Sequence, residues 1–298
     1  EKLQGAKIGL IGEHPVGFDT CRYDAQALGR LIGASVDTIA LPQFFDRARQ
    51  VPEASVASAR AETSRRMTGL DDVDQPQLDR AMGVFRALED VAAEGGYQAL
   101  AVRCWPEMFT EYGCAACGPM GMMSEAGVPC ACEADVMGAL TSLVLQQVGD
   151  SHAFLADIVD MDAASDTGVL WHCGLAPISM ADDDTPPMAQ IHSNRHMPLL
   201  QEFALKPGRI TVARLTQARN SPALVLAGAE MIRAPAGQPA KSFTGTSGII
   251  RFDRPAGDVA SAMMEMGLEH HVSIVYGEHR GTLRAVAARL GLPVIELA

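Results

Sequence analysis

The sequence predicts an α/β protein: a doubly wound parallel-sheet domain over residues 1–148, then a β-rich, mostly antiparallel, barrel-like domain with C-terminal helices over residues 149–298. Two observations carry the division. Up to about residue 148, short apolar runs alternate with helix-length amphipathic stretches, as in strand–helix–strand units of a parallel sheet. Beyond residue 150 helical periodicity gives way to short β-rich runs at Gly168–His172, Arg209–Leu215, Ala223–Ala227 and Gly248–Phe252. Turn residues separate them, as in Ala181-Asp-Asp-Asp-Thr-Pro-Pro187 and Ala234-Pro-Ala-Gly-Gln238. A helix at Asp258–Met266, a strand at His271–Tyr276, a helix at Thr282–Leu290 and a strand at Pro293–Leu297 close the chain.

In the first half, Ala6–Ile11 reads as a strand and Gly12–Gly17 as a loop at the mouth of a sheet. Its glycines lack the spacing of a dinucleotide fingerprint. Tyr23–Leu31 is expected to be helical and Ser35–Leu41 to be the next strand. Ala54–Met67, carrying Arg60, Glu62, Arg65 and Arg66, reads as a helix with a solvated charged face. Asp74 is an N-cap with Pro76 in the first turn. Leu78, Met82, Phe85, Leu88 and Val91 then form a buried stripe, and Gly95-Gly96 ends the helix. Ala99–Val102 is a central strand running into Arg103-Cys-Trp-Pro106. Val128–Cys132 is a short buried strand, Asp135 caps a helix with Met137, Leu140, Leu143, Val144 and Gln147 on one face, and Gly149 stops it.

Composition narrows the function. A hydrophobic fraction of 48% and a charged fraction of 20% are those of a globular protein, and no run of 18 apolar residues predicts a membrane-spanning helix. A net charge of −12 without a basic cluster argues against nucleic-acid and anionic-membrane partners. Seven cysteines, an odd number without a secretory leader, point to reduced thiols and a cytoplasmic setting. The chain opens on Glu1 rather than Met, so a fragment or processed product is expected. Cys114, Cys117, Cys130 and Cys132 have zinc-ribbon spacing; as small buried hydrophobes they need no metal.

The chemical centre is expected between Cys130 and Gly174. Glu133, Asp157 and His172 each fall where a predicted strand ends, and in open α/β sheets the carboxyl ends of strands are where ligands bind. Two carboxylates and an imidazole make a hard-cation site, set against the plainer reading of three ordinary loop or cap residues. His270-His271 precedes the strand Val272–Tyr276, and adjacent rings on a strand point to opposite faces, so at most one is expected to ligate. His192 and His196 lie in a loop-like stretch, where substrate contact is favoured over metal binding. Thr244-Gly-Thr-Ser-Gly248 reads equally as an oxyanion-binding loop or a turn, and the run Met108, Met120, Met122, Met123 as core filling.

These residues resemble the L-fucose and L-arabinose isomerase superfamily, and within it the L-fucose isomerase-related branch. The resemblance rests on Cys132-Glu-Ala-Asp-Val-Met-Gly-Ala-Leu-Thr141, Phe154-Leu-Ala-Asp157, Trp171-His-Cys-Gly174, Arg103-Cys-Trp-Pro106 and His270-His271, in order along most of the chain. It implies an aldose–ketose isomerase that moves a proton between C1 and C2 of a sugar through a cis-enediol. It implies a divalent cation, Mn²⁺ or another such as Mg²⁺, on Glu133, Asp157 and His271, with Glu133 and Asp157 catalytic. Arg103, Trp105, His172 and His192 are then expected to contact substrate. Family members carry a further α/β domain ahead of the point matching Glu1, so the resemblance implies a chain lacking it, and a homo-oligomeric assembly. The alternative is a non-catalytic sugar-binding or scaffolding relative with the same fold.

Overall fold

The computed structural model describes residues 5–218, 221–234 and 243–298. The expected turn at Ala234–Gln238 lies, from residue 235 on, outside the described residues. The first sheet is four-stranded and wholly parallel, in the order β2-β1-β3-β4. Its elements are β1 (Lys7–Ile11), α1 (Ala25–Ile32), β2 (Ser35–Ile39), α2 (Leu41–Arg49), α3 (Glu53–Thr63), α4 (Gln75–Gly95), β3 (Ala99–Val102), α5 (Cys117–Glu125), β4 (Cys130–Ala131) and α6 (Val136–Gly149). Alternate residues of β1 face opposite cores. Ile8 and Leu10 pack with Leu28 of α1 and Leu140 of α6, while Ile11 packs with α4 through Leu88 and Val91. Helices therefore cover both faces, as the unbroken apolar strands require.

Asp74 and Gly96 cap α4 as expected, Asp74 accepting from Gln77 N at 2.9 Å and Gly96 ending the helix left-handed. At α1, Asp24 accepts from Gln26 N at 2.8 Å and left-handed Gly33 ends it, and α6 runs through Gly149 to a left-handed Asp150. The expected strand Ser35–Leu41 is shorter, because Pro42 sits in the first turn of α2, where its fixed φ and missing N–H suit a helix start. The expected helix Ala54–Met67 ends at Thr63. α5, rich in glycine and methionine, carried no legible period.

The second sheet has nine strands: β5 (Phe154–Asp162), β6 (Thr167–His172), β7 (Met188–Gln190), β8 (Leu200–Ala204), β9 (Gly208–Thr216), β10 (Ala223–Ile232), β11 (Thr246–Phe252), β12 (His271–Tyr276) and β13 (Val294–Glu296). α7 (Ala256–Met266) precedes β12 and α8 (Arg280–Leu290) follows it. β10, β9, β12, β5, β6 and β11 pair antiparallel in that order, and β11 pairs back onto β10, so the sheet closes on itself as a barrel. Closure removes the edges that an open sheet would expose. β13 and β8 attach in parallel outside this ring.

α6 joins the two sheets. From Val136 to Leu145 every residue is buried, the signature of a helix wrapped in protein on all sides. It packs with the parallel sheet through Leu140, and reaches the barrel where Ser142 Oγ meets Ser273 Oγ at 2.9 Å and Leu215 N donates to Thr141 Oγ1 at 3.0 Å. Among the described residues no helix is long and apolar enough to cross a membrane.

One glycine ties the barrel to the site. Gly174 has φ 87°, and a Cβ there would stand 2.7 Å from Gln201 N. Gly174→Ala is expected to destabilise by about 1–3 kcal/mol through strain and overpacking. Thermal unfolding measures this, and an unchanged midpoint contradicts it.

Candidate active site

Glu133 is placed by a break in the chain. β4 ends at Ala131, one turn of 3₁₀-helix spans Cys132–Ala134, and α6 starts behind its cap, Asp135. Glu133 adopts φ 58° and Ala134 φ 56°, left-handed backbone that costs a non-glycine residue about 1–2 kcal/mol. Such outliers concentrate where the direction of a side chain outweighs local ease. Asp157 and His271 meet through register: they are directly opposed on β5 and β12, and opposed residues share a face.

The three side chains converge. His271 Nε2 lies 3.1 Å from Glu133 Oε2 and 3.2 Å from Asp157 Oδ1. His172, at the end of β6, presents a nitrogen within 4.8 Å of ligand atoms on Asp157 and His271. Beyond those contacts, Glu133 Oε2, Asp157 Oδ1 and His172 Nε2 are buried without a hydrogen-bond partner. Native proteins rarely leave buried polar atoms unsatisfied; here Asp157, His172 and His271 form one group, and Glu133 joins it through His271 Nε2. Hard oxygens with imidazole nitrogens form a donor set that fits Mn²⁺ or Mg²⁺.

A buried charge network fixes His271. Its Nδ1 is 2.8 Å from Asp135 Oδ2, and Asp135 in turn takes Arg214 Nη1 at 2.5 Å, Arg214 Nη2 at 3.1 Å and Gly138 N at 2.8 Å. Burial alone would raise the Asp135 carboxyl, but the Arg214 charge and then His271 hold it well below the usual carboxylate range. Burial would likewise lower His271, yet Asp135, then Asp157, Cys21 and Glu133, push it well above an ordinary imidazole. A carboxylate on Nδ1 orients the ring and leaves Nε2 toward Glu133 and Asp157, the arrangement that supports a ligating histidine. His270 stands outside this network, half-exposed, its Nε2 3.6 Å from Asp157 Oδ1. It precedes β12, so the expected strand alternation does not govern it; its ring lies 4.7 Å from that of His271.

A cavity of about 210 Å³ opens onto Glu133, with Trp105, Phe109, Cys132, His192 and Arg195 among its walls. It sits beyond the carboxyl ends of β3 and β4, the end of a parallel sheet at which ligands bind. Arg103 is not among its lining residues. Its guanidinium makes a bidentate pair with Glu107 at 2.7 and 2.6 Å and donates to Glu13 O at 3.1 Å, tying the two loops together. His192 is in a loop, as expected; Phe109 meets it edge-on at 5.1 Å.

No family model matches the chain. Curated relatives do. A sulfoquinovose isomerase from Alkalicoccus urumqiensis is 31% identical over 298 residues, all of this chain and 66% of the relative. One from Clostridium sp. (strain MSTE9) is 30% identical over 294 residues, 98% of this chain and 64% of the relative. One from Priestia aryabhattai is 27% identical over 277 residues, 93% and 61%. All three bear the name of an isomerase. The chain spans just under two thirds of the length of these relatives.

Two readings of the sequence change. Asp157 does not end its strand: β5 runs on to Asp162, and it belongs to an antiparallel barrel, so the strand-end rule that singled out Asp157 does not explain its position. The cysteines at zinc-ribbon spacing, Cys114, Cys117, Cys130 and Cys132, are buried free thiols, and Cys132 Sγ lies 2.7 Å from Cys104 Sγ. Thr246–Gly248 is strand rather than loop. Sequence reasoning took Asp135 only as a cap and passed over Arg214 and Cys21. An arginine inside the apolar run Ile210–Leu215 was the available signal, since a charge in a buried strand demands a partner.

Proposed function

We propose that the protein is an aldose–ketose isomerase of the L-fucose/L-arabinose isomerase superfamily, moving a proton between C1 and C2 of a sugar through a cis-enediol. The observation that carries this is the convergence of buried Glu133 Oε2 and Asp157 Oδ1 on His271 Nε2, with a nitrogen of His172 within 4.8 Å of Asp157 and His271. The isomerase names of its relatives support it. Glu133, Asp157 and His271 would hold a divalent cation, Mn²⁺ or Mg²⁺, with His172 within reach of the same point. Bound there, the cation supplies Lewis-acid stabilisation of the negative charge that develops on the two sugar oxygens, worth several kcal/mol. Glu133 and Asp157 act as base and acid, one taking the proton from C2 and the other delivering one to C1, each contributing ~10²–10⁴-fold. Asp135 keeps the His271 ring oriented. Trp105 and His192 bound the space for the sugar, and Arg103 shapes the wall through Glu107 rather than touching substrate. The working form is a homo-oligomer.

Proton exchange at C2 in D₂O, run across aldoses with sulfoquinovose first, tests the reading. Deuterium incorporated with Mn²⁺ and lost on chelation is expected; no exchange with any sugar removes it. Mn²⁺ at 100 times its Kd is expected to add about 2.7 kcal/mol of stability, seen as a raised unfolding temperature that Glu133→Gln abolishes. The cation must also displace the proton that raised His271 holds, because a protonated imidazole cannot ligate. Affinity is therefore expected to rise with pH until pH passes the His271 value. Calorimetric titration checks this, and an affinity that does not change with pH removes His271 from the ligand set.

A further inference from the structure

One cation at the cavity has no carboxylate partner among the described residues. Arg195 stands in the loop between β7 and β8, and that loop is closed on itself. His192 N donates to Met197 O at 2.9 Å, His196 N donates to His192 O at 2.8 Å, and His192 Nδ1 accepts from the N–H groups of Asn194 and Arg195 at 3.2 and 3.3 Å. The guanidinium lies over the Trp105 ring, 5.7 Å from its centroid, and Phe18 braces that ring edge-on at 5.2 Å. Stacking fixes the plane of a guanidinium and leaves its N–H fork free to donate.

The other arginines near the site are spoken for. Arg103 is paired with Glu107 and Arg214 with Asp135. No carboxylate among the described residues pairs with Arg195, although acidic residues outnumber basic ones, 36 to 24. An arginine oriented by an aromatic face, lacking a carboxylate and sharing a cavity with Glu133, is built to receive an anion from the cavity.

We propose that Arg195 is a specificity-determining residue that binds a tetrahedral oxyanion, a sulfonate or phosphate, carried by the sugar at the end away from its reacting carbons. Two parallel N–H···O bonds from the fork to two oxygens supply the recognition, and the C1–C2 end of the same sugar is thereby directed to Glu133 and Asp157. The inference rests on reading the site as that of a sugar isomerase, and its test separates the two.

Wild type, Arg195→Met and Arg195→Lys are compared on a hexose 6-sulfonate, a hexose 6-phosphate and the 6-deoxyhexose, by steady-state kinetics and by calorimetric binding. Arg195→Met is expected to raise KM and Kd for the preferred anionic sugar by roughly 10- to 100-fold, with kcat little changed. The uncharged sugar keeps its KM, and lysine, a cation without the fork, recovers part of the loss. Preference for the sulfonate or the phosphate names the anion. Equal wild-type affinity for charged and uncharged sugars, or parallel losses on all three, overturns the proposal. Arg195-dependent binding of an anionic sugar without exchange at C2 upholds the anion site and rejects the isomerase reading. Exchange indifferent to Arg195 and to charge does the reverse.

Discussion

Glu133→Gln and Asp157→Asn are each expected to abolish measurable proton exchange while leaving the fold standing. Each removes a group assigned to proton transfer, a loss of ~10²–10⁴-fold, and also a ligand of the cation that stabilises the developing charge. Each variant gives up an ion-pair contact of about 3 Å with His271 Nε2 but keeps the shape of the side chain, and neither oxygen has another partner, so metal-free stability is expected to change by no more than about 1–3 kcal/mol. Glu133 sharpens the point. Its φ of 58° burdens any residue with a Cβ, so Glu133→Gly is expected to unfold at a higher temperature than Glu133→Gln, by the equivalent of about 1 kcal/mol, and to be equally inactive. Activity retained in either carboxamide variant removes the proton-transfer assignment. Collapse of both variants makes the cluster part of the scaffold instead.

How much of this was legible depended on how far apart the cooperating residues lie. Caps and stops such as Asp74, Asp135 and Gly96 act within one turn, so spacing alone placed them. Glu133 was legible for the same reason, at the seam between a short strand and its following helix. Asp157 was singled out by a rule that did not apply: what sets it is register with His271, a pairing across more than a hundred residues that period-2 alternation cannot reveal. Barrel closure depends on β10 being long enough to pair with β9 along its length and with β11 over its last residues, and the sequence pattern showed only its first half. α2 was hidden because Pro42 punctuates equally as a turn residue and as a helix start. The pairing of Arg103 with Glu107, one turn on, was likewise not legible, because a sequence does not show which carboxylate a guanidinium meets.

The largest loss of stability is expected at Asp135. Its carboxylate has three partners: Arg214, the backbone N–H of Gly138 and the ring of His271. Asp135→Ala leaves the Arg214 guanidinium, 1% exposed, without its hydrogen-bonded carboxylate, which costs about 3–5 kcal/mol, and it removes the α6 cap for about 1 kcal/mol more. A fall in unfolding temperature of roughly 10 °C or more follows. Asp135→Leu combined with Arg214→Met is expected to regain most of that stability, because an apolar pair of similar volume avoids desolvating two charges. The double variant is still expected to bind the cation weakly, since His271 loses the acceptor that orients it. The pH dependence has a defined sign. A carboxyl held low in the folded state contributes stability that is fully present above its unfolded value of about 3.9 and is lost as pH falls through the lower folded value. Acid unfolding of the double variant is therefore expected to lack a component that the wild type shows below about pH 3.9. Identical acid profiles would place the Asp135–Arg214 pair outside the balance that holds the barrel to α6.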